Sequence, residues 1–77
     1  MDQIRYIELD VLNTPTILIR IIQMIKQKRL NIKCIVAEEN LSNSEKAKIK
    51  IVVAGDSEKT RLLKSQFWGI IDVISIK

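Results

Sequence analysis

Histidine is absent from this chain, and cysteine occurs once, as Cys34. With no imidazole and a single thiol there are too few soft ligands for a zinc site, and no metal is expected. A lone thiol forms no internal disulfide, so cysteine usage gives no sign of secretion. Cys34 reads as a small core or interface hydrophobe. Phe, Tyr and Trp occur once each. The first and third strands read below offer only Tyr6 as a stacking platform, which argues against nucleic acid as a partner. No apolar run approaches the roughly 18 residues needed to span a membrane. The N-terminus lacks the charged, then apolar, then small pattern of a signal peptide. A cytoplasmic protein with no membrane association is the expectation. Catalysis is excluded on similar grounds. There is no histidine, no evident pair of carboxylates in a pocket and no phosphate-cradling glycine loop, so no catalytic residue and no cofactor are assigned.

What the chain does hold is aliphatic. Hydrophobic residues make up 47% of it and isoleucine is abundant, a mixture that favours strands together with helices over a pure bundle. The net charge of +4 comes from basic residues spread along the whole length, which reads as a solvated surface. Seventy-seven residues make a single domain, 1–77. A domain so small buries only about 60% of the surface of its unfolded chain. Pairing with another subunit would remove further apolar surface from water.

Along the chain, Ile4 to Val11 alternates as a strand. Ile7, Leu9 and Val11 share one face, and Glu8 and Asp10 share the other. Asn13-Thr14-Pro15 breaks it. Thr14 suits a helix N-cap and Pro15 the first helical position. The helix then runs to about Lys28, with Ile17, Leu18, Ile21, Ile22 and Ile25 as its apolar stripe and Ile19 and Met24 beside it. Asn31 to Ala37 is a second strand. Ile32, Cys34 and Val36 form one side of it and Ile35 and Ala37 the other, and two apolar sides imply that something covers it. Glu38 to Glu45 is polar and turn-rich, hence a loop. Ala47, Ile49, Ile51 and Val53 alternate with Lys46, Lys48 and Lys50, a third strand. Asp56 or Ser57 caps a second helix bearing Leu62, Leu63, Gln66 and Phe67. Gly69 is placed to close that helix in a left-handed conformation. Ile71 to Ile76 is the last strand.

Strand, helix, strand, strand, helix, strand is the order of a ferredoxin-like α+β sandwich. Right-handed crossovers put both helices on one face of a four-stranded antiparallel sheet. The first and third strands are expected side by side and parallel in its middle. Glu8 and Asp10 would then lie beside Lys48 and Lys50 on the open face, each opposite-charge pair worth roughly 0.2–1 kcal/mol.

Four segments now carry a resemblance. The first is Asn13-Thr14-Pro15-Thr16-Ile17-Leu18 followed by Arg20. The second is Arg29-Leu30-Asn31-Ile32, and the third is Ile51-Val52-Val53-Ala54-Gly55-Asp56. The fourth ends Gln66-Phe67-Trp68-Gly69-Ile70-Ile71-Asp72-Val73. Together they resemble an ACT domain, and within it the regulatory small subunits of acetolactate synthase. The resemblance implies a non-catalytic regulatory subunit that pairs side by side with a copy of itself. It implies docking on the thiamine-diphosphate catalytic large subunit of branched-chain amino-acid biosynthesis, which the small subunit activates. It further implies that a small amino acid such as valine binds where the first turn of one subunit meets its neighbour. Asn13, Thr16, Ile17, Asn31 and Ile32 are the positions that match. Free N–H groups at Thr16 and Ile17 would suit a carboxylate, and an Asn side chain both donates and accepts. Thr16 and Arg29 stand where the family usually has glycine, which allows close backbone approach. Weak or lost valine feedback follows as an expectation. Trp68, next to Phe67, stands where the family is usually polar; it either caps the core or, with Phe67, anchors the contact with the catalytic subunit. A stand-alone amino-acid sensor acting on some other partner is the alternative.

Overall fold

A computed structural model describes residues 3–70 and 72–77. Its elements are β1 (Gln3–Leu12), α1 (Ile17–Gln27), β2 (Asn31–Glu39), β3 (Lys46–Gly55), α2 (Ser57–Phe67) and β4 (Val73–Ile76). The sheet order is β2-β3-β1-β4, the ferredoxin-like arrangement. Ile71, where the last strand was expected to begin, lies outside the described residues.

The alternation in β1 and β3 sets the two layers. Ile7, Leu9 and Val11 pair with Ile51, Ile49 and Ala47, and all six are buried. Ile17, Ile21 and Ile25 of α1 and Leu63 and Phe67 of α2 close over them in one core. On the uncovered face Glu8 pairs with Lys50 and Asp10 with Lys48, the charge ladder read from the sequence. Leu30 leads from α1 into β2 and packs so closely over Gly55 that a Cβ there would collide with its side chain.

Several expectations are corrected. The first and third strands are antiparallel, not parallel. The α1 crossover returns the chain parallel to β1, and the β2–β3 hairpin then reverses it. Helix α1 begins two residues later than expected. Its N-cap is Thr16, which makes no side-chain capping bond. Thr14 instead starts a turn through Pro15, its carbonyl accepting from the Ile17 N–H at 3.3 Å. The loop between β2 and β3 is shorter than expected, because Glu38 and Glu39 pair with Lys48 and Ala47.

The two faces of β2 also differ from a simple alternation. The register with β3 shifts between Ile32 and Cys34, so Lys33 is an extra residue in a β-bulge. Ile32 opposes Val53 and Ile35 opposes Ile51, on the helix side, while Cys34 opposes Val52 and Val36 opposes Lys50, on the open side. Ile32 and Ile35 pack against the core, while nothing among the described residues covers the open side of β2. Its outer edge is bare, and Cys34, Val36 and Ala37 are exposed.

In α2, Leu63, Phe67 and Thr60 form the buried line, while Leu62 and Gln66 turn outward. The buried Thr60 hydroxyl donates to the Asp56 carbonyl at 3.1 Å. Asp56 is the N-cap, its side chain accepting from the Lys59 N–H at 2.8 Å. Gly69 does not take the left-handed conformation. The chain leaves α2 through tight turns in which Gly69 and Ile70 donate to Gln66 and Phe67. The left-handed position is at the other helix end, at Arg29 with φ 57°.

Candidate functional site

The turn from β1 into α1 is held from three sides. The Asn13 N–H donates to the Glu45 carbonyl at 2.8 Å. Its side-chain amide donates to the Ser44 carbonyl at 3.1 Å and to Glu39 Oε1 at 3.3 Å. The Thr14 hydroxyl donates to Asp72 Oδ2 at 3.1 Å, and the Leu12 N–H donates to the Asp72 carbonyl at 2.7 Å. The turn is thus tied to the β2–β3 hairpin by Asn13 and to the approach of β4 by Thr14.

The free donors at the helix start are not quite those expected. The Ile17 N–H is engaged by Thr14, and the Ile17 side chain is buried in the core. Among the described residues, no acceptor is found for the N–H groups of Thr16, Leu18 or Ile19. These three sit at the positive end of α1, where an anionic group is favoured. Two carboxylates, Glu39 and Asp72, lie around the same turn through their bonds to Asn13 and Thr14. Donors for a carboxylate beside acceptors for an ammonium are what a free amino acid requires. Glu39 was missed from sequence because it was read as loop. Asp72 was missed although its Asp-Val pair belongs to the fourth resembling segment.

Asn31 and Ile32 are at the far end of α1, which spans about 16 Å over its length. Asn31 is exposed at the start of β2, and Ile32 packs against the core. A single chain therefore brings Asn13 and Thr16 together but not Asn31 or Ile32 with them. Arg29 bears on the departures from glycine. Its positive φ is reason enough for a glycine there, with no ligand needed to explain it. Thr16 is different, since it is exposed at the site itself.

The aromatic pair divides. Phe67 is wholly buried and is no partner contact, because it continues the line of Thr60 and Leu63 onto the sheet. Trp68 follows one step round the helix and is 57% exposed. Two concavities lie elsewhere. One of about 500 Å³ is on the open face among Asp10, Glu38, Lys46 and Lys48. Another of about 530 Å³ runs between the helices, with Arg20, Gln23, Gln27 and Gln66 on its walls. Among the described residues no group of three potential metal ligands occurs, and no helix is long and apolar enough to cross a membrane.

Comparison with known proteins gives a consistent family. The family model for the ACT domain matches residues 13–76. Among solved structures, the acetolactate synthase small subunit from Thermotoga maritima superimposes with a TM-score of 0.83 at 17% identity. The match covers 97% of this chain and 46% of that one, so the chain spans about half of that subunit's length. The ACT domain from the GTP pyrophosphokinase of Chlorobium tepidum has a TM-score of 0.83 at 15% identity, covering 100% of this chain and 97% of that one. A homoserine dehydrogenase from Thiobacillus denitrificans has a TM-score of 0.81 at 13% identity, over 100% of this chain and 17% of that one. At these identities the likeness is one of fold. No curated protein matches the sequence significantly.

Proposed function

This chain belongs to the ACT-domain family, a family of regulatory rather than catalytic modules, and from that premise we propose that it is the regulatory small subunit of an acetolactate synthase. In this reading it acts in the cytoplasm, without a cofactor of its own. It raises the activity of the thiamine-diphosphate catalytic subunit by stabilising its active arrangement, a population shift and not a chemical contribution.

The observation that carries the reading is the bare edge of β2, which stands at one end of the sheet with no strand paired to its outer side among the described residues. Cys34, Val36 and Ala37 stand exposed on that strand. Leu18 and Ile22 of α1 lie on the flank away from α2, since Arg20, Gln23 and Gln27 face the groove between the helices. An uncovered, largely apolar edge strand is a template for pairing. Two copies joined antiparallel along β2 would set Asn31 of the partner subunit against Glu39, and Glu39 already holds Asn13. Self-pairing thus supports one site built from Asn13 and Thr16 of one copy and Asn31 and Ile32 of the other. An amino acid such as valine would lay its carboxylate on the N–H groups of α1 and its ammonium toward Glu39 and Asp72. The Thr16 side chain stands at the mouth of that site, and valine feedback is therefore weak or lost.

The test is the rate of the purified catalytic subunit with and without this chain, with valine titrated into both. Activation with no valine effect is the expected result. Activation with inhibition would show that Thr16 leaves the pocket open. An unchanged rate would refute the subunit reading. The equal likeness to the ACT domain of a GTP pyrophosphokinase favours a second reading, a stand-alone amino-acid sensor for another partner. Calorimetric binding of valine to the chain alone, with no effect on the synthase, would support it.

A further inference from the structure

Charge is divided between the two layers of the domain. From Ile17 to Arg29, through α1 and its exit, Arg20, Lys26, Lys28 and Arg29 are basic and no residue is acidic. In α2, Lys59, Arg61 and Lys64 stand against Glu58 alone, and Glu58 is already held by Arg61 at 2.6 Å. The helical layer thus carries seven basic side chains and one acidic, although the whole chain has nine acidic residues. Several of these cations have a reason within the fold. Lys26, Lys28, Arg29 and Lys64 lie at helix C-terminal ends, where the dipole favours them. Arg20 has no such reason. It is the fourth residue of α1, at the positive end, which favours anions. No carboxylate pairs with it among the described residues.

Arg20 stands at one end of the groove between the helices. Arg20, Gln23, Met24 and Gln27 are spaced three and four apart, so they form one line along α1. Gln66, Gly69 and Ile70 form the opposite wall. Ile70 is buried and Met24 half-buried, while Arg20 and the three glutamines are exposed. Among the described residues none of these four polar side chains makes a hydrogen bond. From Arg20 to Gln27 the line is about 10 Å long. The groove therefore offers a guanidinium at one end, amides that both donate and accept along its walls, and a small apolar floor. No aromatic side chain lines it for a nucleic-acid base to stack on. Trp68 is about 200° round α2 from Gln66, on the other flank.

We propose that this groove receives an acidic segment of the catalytic subunit, with one carboxylate on Arg20 and one apolar side chain on Met24 and Ile70. The inference rests on the regulatory reading and adds to it the docking surface and the charge of the segment that fills it. A carboxylate accepts two parallel bonds from a guanidinium, and at this place it also meets the positive end of α1. The glutamine amides satisfy main-chain groups of the segment, donors and acceptors alike. The other cations of the layer draw an acidic surface in from a distance and set its orientation. A second copy of this chain could not present its own helical layer here, since like charges would meet.

The experiment titrates the chain into a purified catalytic subunit and reads the half-saturating concentration for activation, at low and at high salt. For the unaltered chain that concentration should rise with salt, because the contact is between charges. Arg20→Glu should raise it about tenfold at low salt, flatten its salt dependence and leave the maximal rate unchanged. Lys46→Glu makes the same change of net charge on the sheet, and should raise it by less than about twofold. Gln66→Glu places a carboxylate in the groove wall and should weaken docking in the same direction; it carries the test if Arg20→Glu fails to fold. Equal half-saturation for the groove variants and the unaltered chain, or an equal loss in Lys46→Glu, would overturn the proposal and leave the regulatory reading standing. No activation by the unaltered chain would overturn both.

Discussion

Arg29 gives the sharpest test of the backbone. It follows α1 with φ 57° and is exposed, and its N–H closes the helix end on the Lys26 carbonyl at 2.9 Å. An L-residue held left-handed costs roughly 1–2 kcal/mol. Replacing it with glycine removes that cost but returns roughly 0.5–1 kcal/mol through the greater freedom of glycine in the unfolded chain. Arg29→Gly should therefore stabilise the domain by about 0.5–1 kcal/mol. At about 4–8 °C per kcal/mol for a domain of this size, the midpoint should rise by about 2–8 °C. Arg29→Ala keeps the steric conflict and should leave the midpoint nearly unchanged. Thermal unfolding followed by circular dichroism, at one fixed protein concentration because pairing shifts the midpoint, measures all three chains. If the Gly and Ala variants unfold together, the left-handed strain at this position is not what the glycine relieves, and the reasoning fails.

Further expectations concern α2. Phe67→Ala should cost about 3–5 kcal/mol in denaturant unfolding, since Phe67 is fully enclosed. Trp68→Ala should stay within about 0.5 kcal/mol and show its effect in activation of the catalytic subunit instead. Asp56→Ala should cost about 1 kcal/mol in the same assay, by freeing the Lys59 N–H. The Glu58 carboxyl is held below the ordinary range of glutamate by its hydrogen bonds from Arg61 and by the charge of that group. A lowered pKa in the folded state stabilises above the unfolded value, and that contribution is lost as pH falls through the folded one. An NMR titration should show Glu58 protonating at lower pH than a free glutamate, and Arg61→Ala should bring it back. An unmoved midpoint would refute the pairing.

The layers were legible because β3 alternates lysine with aliphatic residues from Lys46 to Ile51 without interruption, and α1 repeats isoleucine at helical spacing. Length and order then left few topologies. What could not be read is where one residue displaces a pattern. Ile32, Cys34 and Val36 alternate perfectly on paper, and the sequence has no mark for the bulge at Lys33. Gly69 was the natural choice for a left-handed cap, yet the strain fell on Arg29, a residue with no propensity for it. Thr14 and Thr16 are chemically equal as caps, and the pull of Asp72 on the Thr14 hydroxyl comes from a residue distant in the chain. At the candidate site, resemblance marked Asn13 and Asn31 together. That they lie at opposite ends of α1 depends on the path of the chain, which a list of matching residues does not contain.

The extra residue at Lys33 is held in a way that lets both ends of β2 keep their faces. Counted into a regular ladder, it would turn Asn31 toward the helices and Ile32 toward the open side, because side-chain direction in a strand repeats every two residues. The bulge absorbs it, so Ile32 stays opposite Val53 and Cys34 opposite Val52. Loss of Lys33 would therefore close the ladder one-to-one, with Asn31 and Ile32 still opposite Ala54 and Val53. In a pairing along β2, a change of length at this one point is silent both for the group offered to a ligand and for the contact between copies.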